Sequence, residues 1–203
     1  MPRPRSLTKS DLGVAALAVI DRDGLPALTM RAVAKELHMA TMALYRYVAD
    51  REELEVLVVD EVLAGIDVST PADAHWRDRL AILLERMRAA ISAHPATVPL
   101  VPRHRKSAIG TRRWMEAMLS VLDAGGFAGP DRVIAQRTLV AFLLGSLENQ
   151  HYASINAPAT TAIAQLSPEE YPMLTQTAAQ ARKMSVDEEF RGGLRIVLRG
   201  LES

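Results

Sequence analysis

The chain has 203 residues, 49% of them apolar, with 24 Lys/Arg balanced by 24 Asp/Glu and no cysteine. This composition supports one sizeable core, or a small domain joined to a larger one, and excludes a disordered tail. It also excludes disulfides and thiolate metal sites, suits a reducing cytoplasmic setting, and contains no run near the roughly 20 apolar residues of a membrane span.

The balanced charge conceals an asymmetry. Residues 1–48 hold seven Lys/Arg against four Asp/Glu, a net of +3, and the remainder holds seventeen against twenty, a net of −3. A basic head on a neutral-to-acidic body is the pattern of a polyanion-binding unit. The start has a basic lead and a short apolar run, but helix-capping residues interrupt it, so it does not read as a signal peptide.

Helical periodicity runs through the chain. Leu12, Ala15, Ala16, Val19 and Ile20 form the stripe of an amphipathic helix that Thr8 and Asp11 start and Gly24 stops. Met30, Val33, Ala34 and Leu37 repeat the stripe over a shorter helix with Thr29 as N-cap. A break at "HMAT" leads into "TMALYRYV", and Asp50 followed by Glu53 starts a helix with Leu54, Leu57, Val58, Val62 and Ile66 on one face.

After the loop "DVSTPADAH", a long helix is expected from about Trp76 to Ala93, ended because a residue before proline is pushed out of the α region. "PATVPLVPRHRK", with three prolines, allows only a short helical turn or irregular chain. Trp114, Met118, Leu119 and Leu122 place a further helix closed by Gly125-Gly126. From Pro130 to Tyr152 the helix is apolar on nearly all sides, which calls for burial at its centre or at a subunit contact. "NAPATTAIAQLS" reads as a loop, Ser167-Pro168-Glu169-Glu170 as a helix start, and Phe190, Leu194, Val197, Leu198 and Leu201 stripe the last helix. No segment alternates with period two, so the class is all-α.

Catalytic signals are absent. No two of the five histidines lie three or four apart, and there is no HExxH, phosphate loop or GxSxG. The lone Glu148/His151 pair does not make a metal site, so no catalytic residue, metal or cofactor is assigned. Two short helices joined by a tight turn behind a longer one instead form a helix-turn-helix unit, whose second helix of the pair enters the DNA major groove. If Leu44 and Val48 define the buried face, Tyr45, Arg46 and Tyr47 follow Leu44 at about 100°, 200° and 300°, and Arg46 points most directly outward. Spacing alone leaves two readings of this face: half-buried tyrosines beside a solvated arginine, or a surface built for contact.

"LTMRAVAKELHMATMALYRYVADREEL" resembles the DNA-binding head of the tetracycline-repressor (TetR) family through Thr29, Ala34, Leu44, Tyr45, Val48 and the segment 50–54. The glycine common in that family's turn is His38 here. "HWRDRLAILLERMRAAISAHP", "LDAGGF", "LVAFLLGSLENQ" and "EEFRGGLRIVLRGLE" resemble the C-terminal domain of the tetracycline-repressor branch, so the likeness spans nearly the whole chain.

The resemblance implies a three-helix DNA-binding domain over 1–48 and a regulatory, ligand-binding and dimerisation domain over 49–203. Thr29, Tyr45, Tyr47 and Arg51 would meet phosphates, and Arg31, Thr41, Met42 and Arg46 would meet base edges in double-stranded DNA, with Arg3 and Arg5 as an additional arm. Leu100, His104, Trp114, Met118, Phe142 and Gln150 would line an effector pocket. Val101 and Ala141 stand where the family's tetracycline-binding branch has histidines, which implies a more apolar pocket than a magnesium-chelate site. The helix from 130 to 152 and the last helix would pair with a second copy as a four-helix bundle. The implied function is a cytoplasmic, non-enzymatic, ligand-responsive repressor of a palindromic operator. The alternative is an all-helical small-molecule-binding protein or enzyme with a structural head.

Overall fold

The structure is a computed structural model that describes residues 7–105, 107–155, 162–163 and 166–201. Arg3 and Arg5, and most of the loop expected over 156–167, lie outside the described residues. Among those described there are helices and no strand, in two compact units, 1–128 and 129–203.

The first unit holds α1 (Lys9–Asp23), α2 (Met30–Glu36), α3 (Thr41–Leu44), α4 (Arg51–Ala64), α5 (Trp76–Ser92), α6 (Val101–His104) and α7 (Ile109–Ala124). Local chemistry sets the helix starts. The Thr8 hydroxyl accepts from the Asp11 N–H at 3.2 Å while the Asp11 carboxylate accepts from the Thr8 N–H at 2.8 Å, a complete capping box. Asp50 likewise accepts from the Glu53 N–H at 3.0 Å, and Glu53 accepts from the Ala49 N–H at 2.9 Å. The hydrogen bond from the Lys9 ammonium, then that from Ala49, holds the Glu53 carboxyl below its ordinary range.

α4 is the spine of this unit. It crosses α1 so closely that a Cβ on Gly13 would lie 2.9 Å from the Leu57 carbonyl oxygen. Further along, a Cβ on Gly110 would lie 2.6 Å from the Leu63 carbonyl oxygen, so only glycine lets α7 start here. Asp60 of α4 accepts the Ile109 N–H at 2.6 Å, capping α7 from outside its own sequence. Leu54, Leu57, Val58, Val62 and Ile66 are buried as their spacing predicts, although α4 itself ends at Ala64.

α5 runs within one or two residues of its expected bounds and buries Leu80, Leu83, Leu84, Met87 and Ile91. The Trp114 indole N–H donates to the Leu83 carbonyl at 2.8 Å, tying α7 to α5, and Trp76 meets Phe127 edge-on at 5.2 Å. The proline-rich stretch forms a 3-10 turn, Pro95–Leu100, and then the single turn of α6.

The second unit holds α8 (Gly129–Ile155), α9 (Pro172–Ala181) and α10 (Val186–Gly200). Leu139, Leu143 and Leu147 of α8 are buried together with Phe190, Leu194 and Leu198 of α10, the two helices pack on each other, and Phe142 meets Phe190 at 5.4 Å. One expectation is corrected. The helix does not start at Ser167: residues 168–170 form a turn and α9 begins at Pro172. Tyr171 precedes that proline and sits at φ −130°, ψ 60°, outside the α region, so a helix begun at Ser167 cannot run through it.

Candidate nucleic-acid interface

The head is built from its buried residues outward. Thr29 caps α2 by accepting the Ala32 N–H at 3.1 Å. Leu28, Val33, Ala34, Leu44 and Val48 are then buried, with Leu37 and Met39 half-buried at the turn. The turn is a Schellman motif: the His38 N–H reaches the Lys35 carbonyl at 3.1 Å and the Met39 N–H reaches the Ala34 carbonyl at 2.9 Å. His38 occupies the left-handed position at φ 53°, where glycine is usual, so the histidine accepts a strained backbone rather than altering the turn.

The geometry beyond α3 differs from a continuous α-helix. α3 ends at Leu44, and the N–H groups of Arg46 and Tyr47 bond three residues back, to Ala43 and Leu44, before the Val48 N–H bonds four back, again to Leu44. In such a turn each residue advances about 120°, so Tyr47 swings back over Leu44. Tyr47 is accordingly half-buried, while Tyr45, at 48% relative exposure, and Arg46 face solvent. Met42 is 77% exposed, an unusual place for a large apolar side chain. Thr29 and Arg31 are exposed and Thr41 is half-buried. Arg31 and Arg46 make no ion pair among the described residues.

Arg51 opens α4. Its Nε donates to Glu55 Oε1 at 2.9 Å, and a terminal nitrogen leans on the Leu25 carbonyl at 3.4 Å. The other Glu55 oxygen lies 2.9 Å from His104 Nε2, so an arginine, a carboxylate and a histidine are linked in a row from α4 to α6. Periodicity and motif together pass over Glu55. Its four-residue spacing from Arg51 is a signal visible in the sequence, but its meeting with His104 spans 49 positions and is not.

Of the residues expected at an effector pocket, Leu100, His104, Trp114 and Met118 are buried in the first unit. Their polar atoms have local partners: the His104 ring meets Glu55 and the Trp114 N–H meets Leu83. Phe142, against Phe190, and Gln150 are half-buried in the second unit. Among the described residues no group of three His, Asp or Glu could hold a metal ion.

A pair of short helices, the first capped by Thr29, whose outer face carries Met42, Tyr45 and Arg46 above a closed core defines a helix-turn-helix DNA-binding regulator. Residues 14–55 match the family described as bacterial regulatory proteins, tetR family, and residues 70–203 match the tetracyclin repressor-like C-terminal domain. The chain belongs to the TetR family. It is 30% identical over 217 residues to the HTH-type transcriptional repressor DrrR1 of Streptomyces coeruleorubidus, covering 99% of this chain and 79% of that one. It is similar to ActR of Streptomyces coelicolor, solved in complex with (S)-DNPA: 26% identity, 98% of each chain and a TM-score of 0.85. It shares the fold of Mycobacterium smegmatis BioQ, solved with its double-stranded DNA operator, at 24% identity over 97% of this chain and 98% of that one, TM-score 0.68.

Proposed function

We propose that this chain is a ligand-responsive repressor that binds a palindromic operator as a homodimer in the cytoplasm and is released by a small-molecule effector. Residues 1–48 form the DNA-binding domain and residues 49–203 the regulatory and dimerisation domain. Thr29, Tyr45, Tyr47 and Arg51 meet phosphates, while Arg31, Thr41, Met42 and Arg46 reach base edges. Arginine can grip guanine through two donors, and methionine offers apolar contact to a thymine methyl.

The observation that carries this reading is the outer face of the head. Met42, Tyr45 and Arg46 project from a short segment whose inner side chains, Leu44 and Val48, are 0% and 2% exposed. The core anchors the segment through these two side chains, and its exposed residues are left for a partner. The effector would act from Leu100, His104, Trp114 and Met118 in the first unit. It relieves repression only if it binds the DNA-incompetent state more tightly.

The test is selection of duplexes from a random library by the full-length protein. The expected product is an inverted repeat with half-sites about one helical turn apart, bound with steep salt dependence. Recovery of no preferred sequence at moderate salt would sink the repressor reading.

A further inference from the structure

Glu55 is a charge the head does not need for packing. It is 8% exposed, and a buried carboxylate is costly unless its oxygens are partnered. Here each oxygen has its own partner, Arg51 Nε from the same helix and His104 Nε2 from α6, both at 2.9 Å. Fixing Nε sets the plane of the guanidinium, because that group is rigid and flat. The Arg51 side chain nevertheless stays 47% exposed, against 11% for Glu55 and 9% for His104. The network is therefore buried at its His–Glu end and open at its arginine end, beside the first turn of α4.

We propose that Glu55, steadied by His104, is a positioning residue for DNA binding that holds the Arg51 guanidinium oriented to receive a backbone phosphate. This rests on the reading that Arg51 meets a phosphate, and deepens it by assigning two residues outside the helix-turn-helix to that role. An arginine held before binding loses less rotamer freedom on meeting the phosphate.

Simple electrostatics predicts the opposite outcome, which makes the proposal easy to overturn. The cleft at the start of α4 is lined by Asp50, Glu52 and Glu55 against Arg51 and Arg103, with His104 at its wall. A carboxylate near a polyanion repels it, so if Glu55 has no positioning role, Glu55→Gln tightens DNA binding.

The experiment uses full-length protein and a fluorescent duplex that the wild type selects from a random library, titrated by anisotropy at several salt concentrations. Glu55→Gln is expected to weaken binding about five- to tenfold, the scale of immobilising one flexible side chain in each half of a dimer. The salt slope should stay unchanged, because the cation remains. Arg51→Ala should lower that slope by about 0.9 for each phosphate that is no longer neutralised. In the Arg51→Ala background, Glu55→Gln should have no further effect, since positioning has nothing left to act on.

His104→Gln, whose amide can still donate to Glu55, should bind DNA more tightly than His104→Leu, which should resemble Glu55→Gln. If thermal unfolding shows that Glu55→Gln does not fold, this histidine pair carries the test alone. Equal or tighter binding by Glu55→Gln, an equal loss in the Arg51→Ala background, or identical behaviour of the two histidine variants overturns the proposal. A wild type that selects no duplex overturns the repressor reading itself, and the positioning role with it.

Discussion

The two compact units treat their large apolar side chains differently. Among the described residues of the first unit, those exposed are Val14, Met42, Tyr45 and Ile109, and two of these four sit on the candidate DNA face. The smaller second unit exposes Val133, Ile134 and Tyr152 on α8, Val186 and Ile196 on α10, and Tyr171, Met173, Leu174 and Met184 around α9. The first unit thus closes its own core, and half of its exceptions lie on one surface. The second has helices with more apolar faces than its own packing covers, and apolar surface of that extent calls for a partner. A second copy of the chain, as proposed above, supplies one.

The strongest way to break that comparison is to charge the uncovered face. Ile134→Glu combined with Ile196→Glu should raise the dimer dissociation constant about 1000-fold or more, since in the proposed dimer each copy would bury both side chains and each is worth about 1.5–3 kcal/mol. Light scattering should then give the 22.2 kDa chain mass instead of twice that value. A wild type that is already monomeric at micromolar concentration would remove the reason for the second unit's exposed faces.

Within the head, neighbouring residues should separate stability from binding. Leu44→Ala should cost about 2–5 kcal/mol of stability in chemical denaturation, because it empties a fully buried site. Met42→Ala, two residues away and exposed, should change stability by no more than about 0.5 kcal/mol. Arg46→Ala should then lose about 1–3 kcal/mol of discrimination at one operator position, read as a ratio of affinities for matched and substituted duplexes, with unfolding unchanged. One substitution should act in the opposite direction. His38→Gly should stabilise the head by about 0.5–1 kcal/mol, the left-handed penalty less the extra unfolded-state freedom of glycine.

Much of this is legible in the sequence, for reasons that differ by residue. Thr8, Thr29 and Asp50 cap helices through bonds three residues away, so their spacing is enough. The stripes of α1, α4 and α5 are equally clear, because an amphipathic helix writes its burial into its period. The start at Ser167 is misleading because the proline at 172, four residues beyond Pro168, acts against it through Tyr171. The directions of Tyr45 to Tyr47 are only partly readable, because periodicity assumes an α-helix where the chain tightens into a three-residue repeat.

What the sequence determined by itself is therefore the all-helical class and most of the helix starts. These depend on interactions within a turn or two, and residue order encodes those directly. The tertiary structure alone decided that Glu55 lies between Arg51 and His104, that Asp60 caps α7, and that Gly13 and Gly110 let two helices press against α4. Each of these joins groups tens of residues apart. Whether such groups meet depends on how helices cross, which no local pattern records.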